Sequence, residues 1–391
     1  MSSNNKTQTM TVNKRHILHA AWLRLTLCVA ALAVLCVLVS CSDDSDDDGS
    51  RTVVLRFSTA QATGVTRAGT ATASTDKDDA VKDLTVLIFD SNGDVIGSKY
   101  ESYSIEPSTS ILVSIKTRVA KGCTVYAFAN VGTIIDPNFF HGLSTKSEID
   151  NKVYKMTTDG ELDTQTCLLM KGELDNFDTS ASSGKTIGLQ RLASMFEITI
   201  EAQNDPTDGS WPITIDKYQL CKIPKTTTLS KLTDQPVPSD YYNGSETPVN
   251  LTSADNSPVS KKIVTYMYGN NVGSNANATD WTKRNSNNQP TKQNGASTFL
   301  HIWAHTAVWK SEFYVYLGGK TLTADGTTTS SPAYDYTDYT IYPNYHYTVN
   351  ITIKGSGHAE NGARVTYQAI PYFSVASINA WGTDTTTPID M

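Results

Sequence analysis

The residues of this sequence able to do chemistry are a cysteine that closes an apolar run, an arginine in a soft segment, two histidines four apart, a Gly-Lys-Thr triplet and a run of aspartates. Each needs its own setting. The Cys41 thiol can take a lipid only if the apolar stretch before it is a secretory leader. Arg67 stands in Val65-Thr66-Arg67-Ala68-Gly69, within residues 59–79, an aperiodic stretch rich in Ala, Thr, Gly and Asp of the kind proteases cut most easily. On its own, an arginine there reads as an ordinary solvated side chain. His301 and His305, with Trp303 between them, have the spacing of two metal ligands on a helix. The segment Phe299-Leu300-His301-Ile302-Trp303-Ala304-His305 reads instead as a strand, where positions four apart are separated by roughly 13 Å. Gly184-Lys185-Thr186 is no phosphate loop, because Thr179 stands where that loop needs glycine and a strand follows where it needs a helix. The aspartates of residues 43–48 lack the glycine-centred loop and terminal Glu of a calcium hairpin. Neither a metal nor a cofactor is expected.

Motifs that mark enzymes are missing as well: there is no Gly-x-Ser-x-Gly elbow, no His-Glu-x-x-His, no pair of Cys-x-x-Cys and no dinucleotide fingerprint. No catalysis is expected. The formal net charge of −7 comes without a basic cluster, which argues against nucleic acid as a partner. Of the six cysteines, Cys28, Cys36 and Cys41 lie in or at the end of the leader, leaving Cys123, Cys167 and Cys221, an odd number that cannot pair completely within one chain. They read as small buried hydrophobes.

The leader explains the first of these residues. Lys14, Arg15 and Arg24 precede the apolar residues 25–39, the order of a secretory signal. The run ends Leu38-Val39-Ser40-Cys41, which resembles the bacterial lipobox, so residues 1–40 are expected to be a lipoprotein signal peptide and Cys41 the lipidated first residue of the mature chain. Each buried lipid methylene contributes about 0.8 kcal/mol, so a multiply acylated cysteine anchors a protein without a spanning helix. Residues 41–51, dense in aspartate, are expected to form a solvated tether.

The elements that position the rest are extended. Thr, Ser, Asn and Asp abound, Tyr (19) outnumbers Phe (10), and short alternating runs are separated by turn residues, which predicts an all-β chain of two tandem β-sandwich domains over 52–189 and 190–391. Val53, Leu55 and Phe57 alternate with Val54, Arg56 and Ser58 in an opening strand. Strands follow at 84–89, 95–96, 111–115, 124–130 and 167–172, with a loosely helical insertion between 136 and 156. In the second domain Phe196, Ile198 and Ile200 alternate at the join, while residues 226–294 are long and polar and 273–295 reads as a surface loop. From Tyr345 to Ile353 every second residue is large and apolar, the signature of a strand with one buried face. Residues 364–370 and 372–381 close the fold, and 382–391 is a tail with no packing of its own.

Tyr314-Val315-Tyr316-Leu317-Gly318, then Asn344-Tyr345-His346-Tyr347-Thr348-Val349-Asn350-Ile351-Thr352-Ile353-Lys354-Gly355, resembles the second domain of the FimA-like fimbrillins, the type V pilus subunits of Bacteroidales. Val264-Thr265-Tyr266-Met267-Tyr268-Gly269-Asn270 resembles another strand of that family, with Gly269 in place of its usual Glu. The acidic run after Cys41 resembles an export tag that sends lipoproteins of these bacteria to the outer face of the outer membrane. The resemblance implies a transthyretin-like topology and a structural role in a fimbrium that supports adhesion. It implies cleavage between Arg67 and Ala68 by a trypsin-like protease, release of the strand holding Val53, Leu55 and Phe57, and polymerisation with other fimbrillin subunits in which the C-terminal tail is the donor strand. A stalk subunit fits best; a tip adhesin with a host or bacterial surface receptor, an anchor subunit, and a surface glycan-binding lipoprotein are the other readings.

Overall fold

The computed structural model describes residues 49–58, 76–103, 110–181, 185–203, 212–231, 235–254, 258–290, 296–320, 334–356 and 363–371. Those from Ser50 onward belong to one compact unit.

The first part of this unit holds β1 (Ser50–Ser58), β2 (Asp83–Phe89), β3 (Val95–Ser102), β4 (Ser110–Arg118), β5 (Cys123–Ala129), β6 (Val153–Lys155), β7 (Met170–Phe177), β8 (Thr186–Gly188) and β9 (Gln190–Arg191). A three-stranded sheet in the order β4-β1-β8 lies against a five-stranded sheet in the order β3-β2-β5-β7-β9. The alternation of β1 puts Val53, Leu55 and Phe57 into the core between them, beside Ile111, Val113 and Ile115 from β4 and Val86, Ile88, Val125 and Ala127 from the other sheet. The strand begins at Ser50, two residues inside the stretch expected to be tether. Every residue of β2 is buried, because its second face, with Leu87 and Phe89, packs under residues 131–169. That region is not one helical insertion but three short helices, Val131–Ile134, Lys146–Asp150 and Glu161–Thr164, with β6 among them. A capping box between Thr145 and Glu148 starts the second of these. The strand expected over 167–172 starts only at Met170.

The second part holds β10 (Ala193–Ala202), β11 (Thr214–Cys221), β12 (Ile223–Pro224), β13 (Thr226–Thr228), β14 (Tyr241–Tyr242), β15 (Thr247–Thr252), β16 (Val259–Tyr268), β17 (Phe299–His305), β18 (Lys310–Tyr316), β19 (Tyr345–Ile353) and β20 (Ala363–Pro371). Two four-stranded sheets, β16-β10-β19-β20 and β15-β11-β17-β18, enclose one core that includes Phe196, Ile198, Ile302, Val315, Tyr347 and Val349. The central strands β10 and β19 run parallel, and Phe196 stacks on Tyr347 with ring centroids 4.4 Å apart. Within the polar stretch 226–294, the strand read at 264–268 is the end of β16, and the remainder also holds β13, β14 and β15.

Backbone and side chains tie the two parts together. β6 pairs with β13, and the Asp163 carboxylate accepts from the Tyr266 amide at 2.9 Å and the Thr265 hydroxyl at 3.0 Å. Lys77 donates to the Leu162 carbonyl at 2.9 Å and lies 3.9 Å from the Tyr266 ring centroid; burial lowers its pKa, opposed by Asp163 and Asp78. Arg191, fully buried on β9, donates its amide to Asn344 Oδ1 at 3.2 Å, while its Nε holds the Asp78 carbonyl at 2.6 Å within the first part.

Candidate functional site

β1 sits in the middle of its sheet. Nine residues pair antiparallel with β4, from Ser50 opposite Arg118 to Ser58 opposite Ser110. On the other side only Arg56, Phe57 and Ser58 pair, parallel, with Thr186, Ile187 and Gly188 of β8. Val53 is 3% exposed and Leu55 and Phe57 are fully buried. Fully burying side chains of this kind stabilises by about 1.5–3 kcal/mol each, an upper value because the unfolded chain is already partly compact. The strand's ends are fixed too: Arg51 donates to the Ser180 carbonyl at 2.6 Å, and the Leu189 amide donates to the Ser58 carbonyl at 3.3 Å. Its outer face carries the exposed Thr52 and Arg56, with the 59%-exposed Leu112 opposite Arg56 on β4. β1 therefore fills a slot with an apolar floor and two walls of backbone donors and acceptors.

The other residues singled out in the sequence have separate fates. Cys41, Arg67, Ala68 and the tail 382–391 lie outside the described residues. Cys123, Cys167 and Cys221 are buried. Burial raises the pKa of Cys123, with Asp90 and Asp178 adding to it, and burial likewise raises that of Cys221, so both thiols are held protonated and unreactive. His301 and His305 do lie on a strand, β17, and turn to different partners, His301 to Glu312 at 2.9 Å and His305 to Asp216 at 2.8 Å. Thr186 opens β8 rather than a helix.

Sequence reasoning missed β8, whose three residues are too few for a periodicity, although it forms one wall of the slot. It also missed Arg284. In the stretch read as a surface loop this side chain is 3% exposed, donating to the carbonyls of Tyr336 and Asp338 at 2.7 Å each and lying 4.2 Å from the Tyr339 ring centroid. The one signal was a lone arginine among asparagines.

The profile of the family described as "Major fimbrial subunit protein (FimA)" matches residues 52–289, more than half of the 391-residue chain, and the match begins within β1. The chain belongs to the FimA family of major fimbrial subunit proteins. It is thus a fimbrial subunit, a structural protein that assembles with other subunits at the cell surface, and not an enzyme. Solved structures with the same fold include the tip fimbrial protein Mfa3 of Porphyromonas gingivalis with C-terminal truncation, 16% identical at a TM-score of 0.53 over 82% of this chain and 100% of that one. The fimbrilin (FimA) of Porphyromonas gingivalis W83 is 12% identical at a TM-score of 0.52, covering 83% of this FimA-family chain and 99% of its own. None of the curated proteins matches the chain.

Proposed function

We propose that this FimA-family subunit is exported as a lipoprotein precursor acylated at Cys41, carried to the outer face of the outer membrane, cut between Arg67 and Ala68, and polymerised into the stalk of a fimbrium by strand exchange. The observation that carries the reading is the place of β1. It is the central strand of its sheet, and the chain that joins it to the rest of the protein is the segment containing Arg67. While that segment is intact, Val53, Leu55 and Phe57 cap the first core and the precursor stays monomeric. After the cut, β1 is held by non-covalent contacts alone, and an extended segment of a neighbour, the C-terminal tail 382–391, replaces it by pairing with the exposed strand edges. Division into domains at 52–189 and 190–391 puts the slot on the first and the tail on the second, which gives head-to-tail growth.

Arg67→Ala should give a folded, surface-exposed lipoprotein that never polymerises, whereas trypsin added to wild-type precursor should cut there first and start assembly. Fibres indistinguishable from wild type on Arg67→Ala cells, with no cut at a neighbouring residue, would sink the protease-triggered mechanism. Cys41→Ser should abolish partitioning into the detergent phase, because only the thiol can take the lipid. Complete partitioning of that mutant would rule out lipidation at Cys41.

A further inference from the structure

The walls of the β1 slot are fastened from outside it. β4 rests on the edge of the five-stranded sheet at Gly97 of β3, where a Cβ would lie 2.9 Å from the Thr117 Cβ and 3.2 Å from the Lys116 carbonyl oxygen. The close approach lets the buried Thr117 hydroxyl donate to the Ile96 carbonyl at 3.1 Å. Just beyond β4, the Ala120 amide donates to the Thr179 hydroxyl at 2.7 Å and the Thr179 amide donates back to the Ala120 carbonyl at 3.0 Å, both behind a fully buried Thr179.

The opposite wall is held by the same device. The chain crosses from β8 to β9 over Gly172 of β7, where a Cβ would lie 2.7 Å from Ile187 Cγ2 and 2.9 Å from the Gly188 carbonyl oxygen. Directly after the crossing, β9 pairs with β7 through Lys171 opposite Gln190 and Met170 opposite Arg191. The Leu192 amide then donates to the Leu169 carbonyl at 2.8 Å. None of these contacts includes a residue of β1.

We propose that the slot is built to remain open when β1 leaves, with Gly97, Thr117, Thr179 and Gly172 as the positioning residues that keep β4 and β8 one strand-width apart. The inference rests on the strand-exchange reading and adds to it what the incoming segment meets. A sheet that loses its middle strand gains by closing over the exposed apolar floor, and only walls anchored elsewhere prevent this. A slot already at the right width spares the incoming strand the cost of reopening it. Its partner is an extended segment of a second copy of this chain, pairing with both walls and laying its side chains over the floor that Val53, Leu55 and Phe57 cover.

The test uses the full chain with one site-specific protease site placed within residues 59–75, cut, mixed with a fluorescent peptide of residues 50–58, and held until exchange with the resident β1 is complete. Peptide affinity is read by anisotropy, and the unfolding temperature of each uncut chain is recorded alongside. The cut wild type should take up the peptide. Gly97→Ala and Gly172→Ala should bind it about tenfold more weakly, while their uncut chains, with β1 still bracing the walls, lose at most a few degrees. Equal affinity in wild type and glycine variants overturns the pre-formed slot and leaves strand exchange standing. No uptake by the cut wild type overturns both. Should the glycine variants fail to fold uncut, Thr117→Val removes one hydroxyl at nearly constant shape and should weaken binding about three- to tenfold; unchanged affinity in that variant also overturns the proposal.

Discussion

Both halves of the molecule bury an apolar strand at the centre of a sheet, but the chain reaches the two strands by different routes. In the second pair of sheets β10 follows β9 after the buried Leu192 and runs beside β19, with both strands deep within the sequence. In the first, β1 opens the compact unit, and its partners β4 and β8 lie far along the chain, Phe57 opposite Ile111 and Ile187. Equal burial therefore has unequal covalent backing. A cut between β1 and β2 severs a core strand from its own domain, whereas β10 has no such position. Since β1 is still held by three buried side chains and two paired edges after a cut, spontaneous loss would be slow and a competing strand has to displace it.

The sharpest way to break this contrast is a matched pair of substitutions. Phe57→Ala and Phe196→Ala should each cost about 3–5 kcal/mol in the uncut chain, read as loss of unfolding free energy in denaturant. After cleavage in the segment 59–75 the two should part: Phe57→Ala speeds the loss of β1, while Phe196→Ala leaves its retention unchanged. Equal retention of β1 in both cut variants would mean that the strand is not held by its own side chains.

Acid should then separate the second pair of sheets. The Glu197 carboxyl is held down at about 2, chiefly by the hydrogen bond from His346 and also by Lys262, against the opposing effect of burial. Its oxygens lie 3.4 Å from His346 Nε2 and 3.1 Å from Lys262 Nζ. The folded pKa is below the ordinary 4.5, so the stabilisation, on the order of 3 kcal/mol, is complete above about pH 4.5 and is lost as pH falls towards about 2. Glu197→Gln should flatten the acid limb of the stability curve between these values, and an acid limb as steep as wild type would show that another group sets it.

The smallest effect belongs to the Asn-rich stretch. Arg284→Met should cost about 2 kcal/mol, because carbonyls of Tyr336 and Asp338 lose a charged donor, and should raise amide exchange over residues 273–290. Unchanged exchange there would return this stretch to the status of a plain surface loop.

What could be read from the sequence follows the range of the forces involved. Alternation at period two is a property of neighbouring residues, so the strand Tyr345–Ile353 was legible to the residue, as were the inward positions Val53, Leu55 and Phe57. One polar position of that same strand misled: His346 belongs to the alternation as a polar residue, yet it is 6% exposed, next to Glu197. Residues 226–252 misled more broadly, since polarity alone cannot separate a solvated loop from strands such as β13 to β15 whose polar side chains find partners.

The sequence by itself determined the all-β class, the inward positions of β1, β10 and β19, and the absence of enzyme motifs, because composition and local periodicity carry that information. Only the tertiary structure decided that β1 lies between β4 and β8, that two glycines let those walls seat on the opposite sheet, and that Arg284 is buried. These depend on groups brought together from distant parts of the chain: Thr117 over Gly97, Ile187 over Gly172, and the carbonyls of Leu317, Gly318, Tyr336 and Asp338 around one guanidinium. A buried arginine is stable only where such acceptors converge, and convergence is a property of the folded chain that no local pattern encodes.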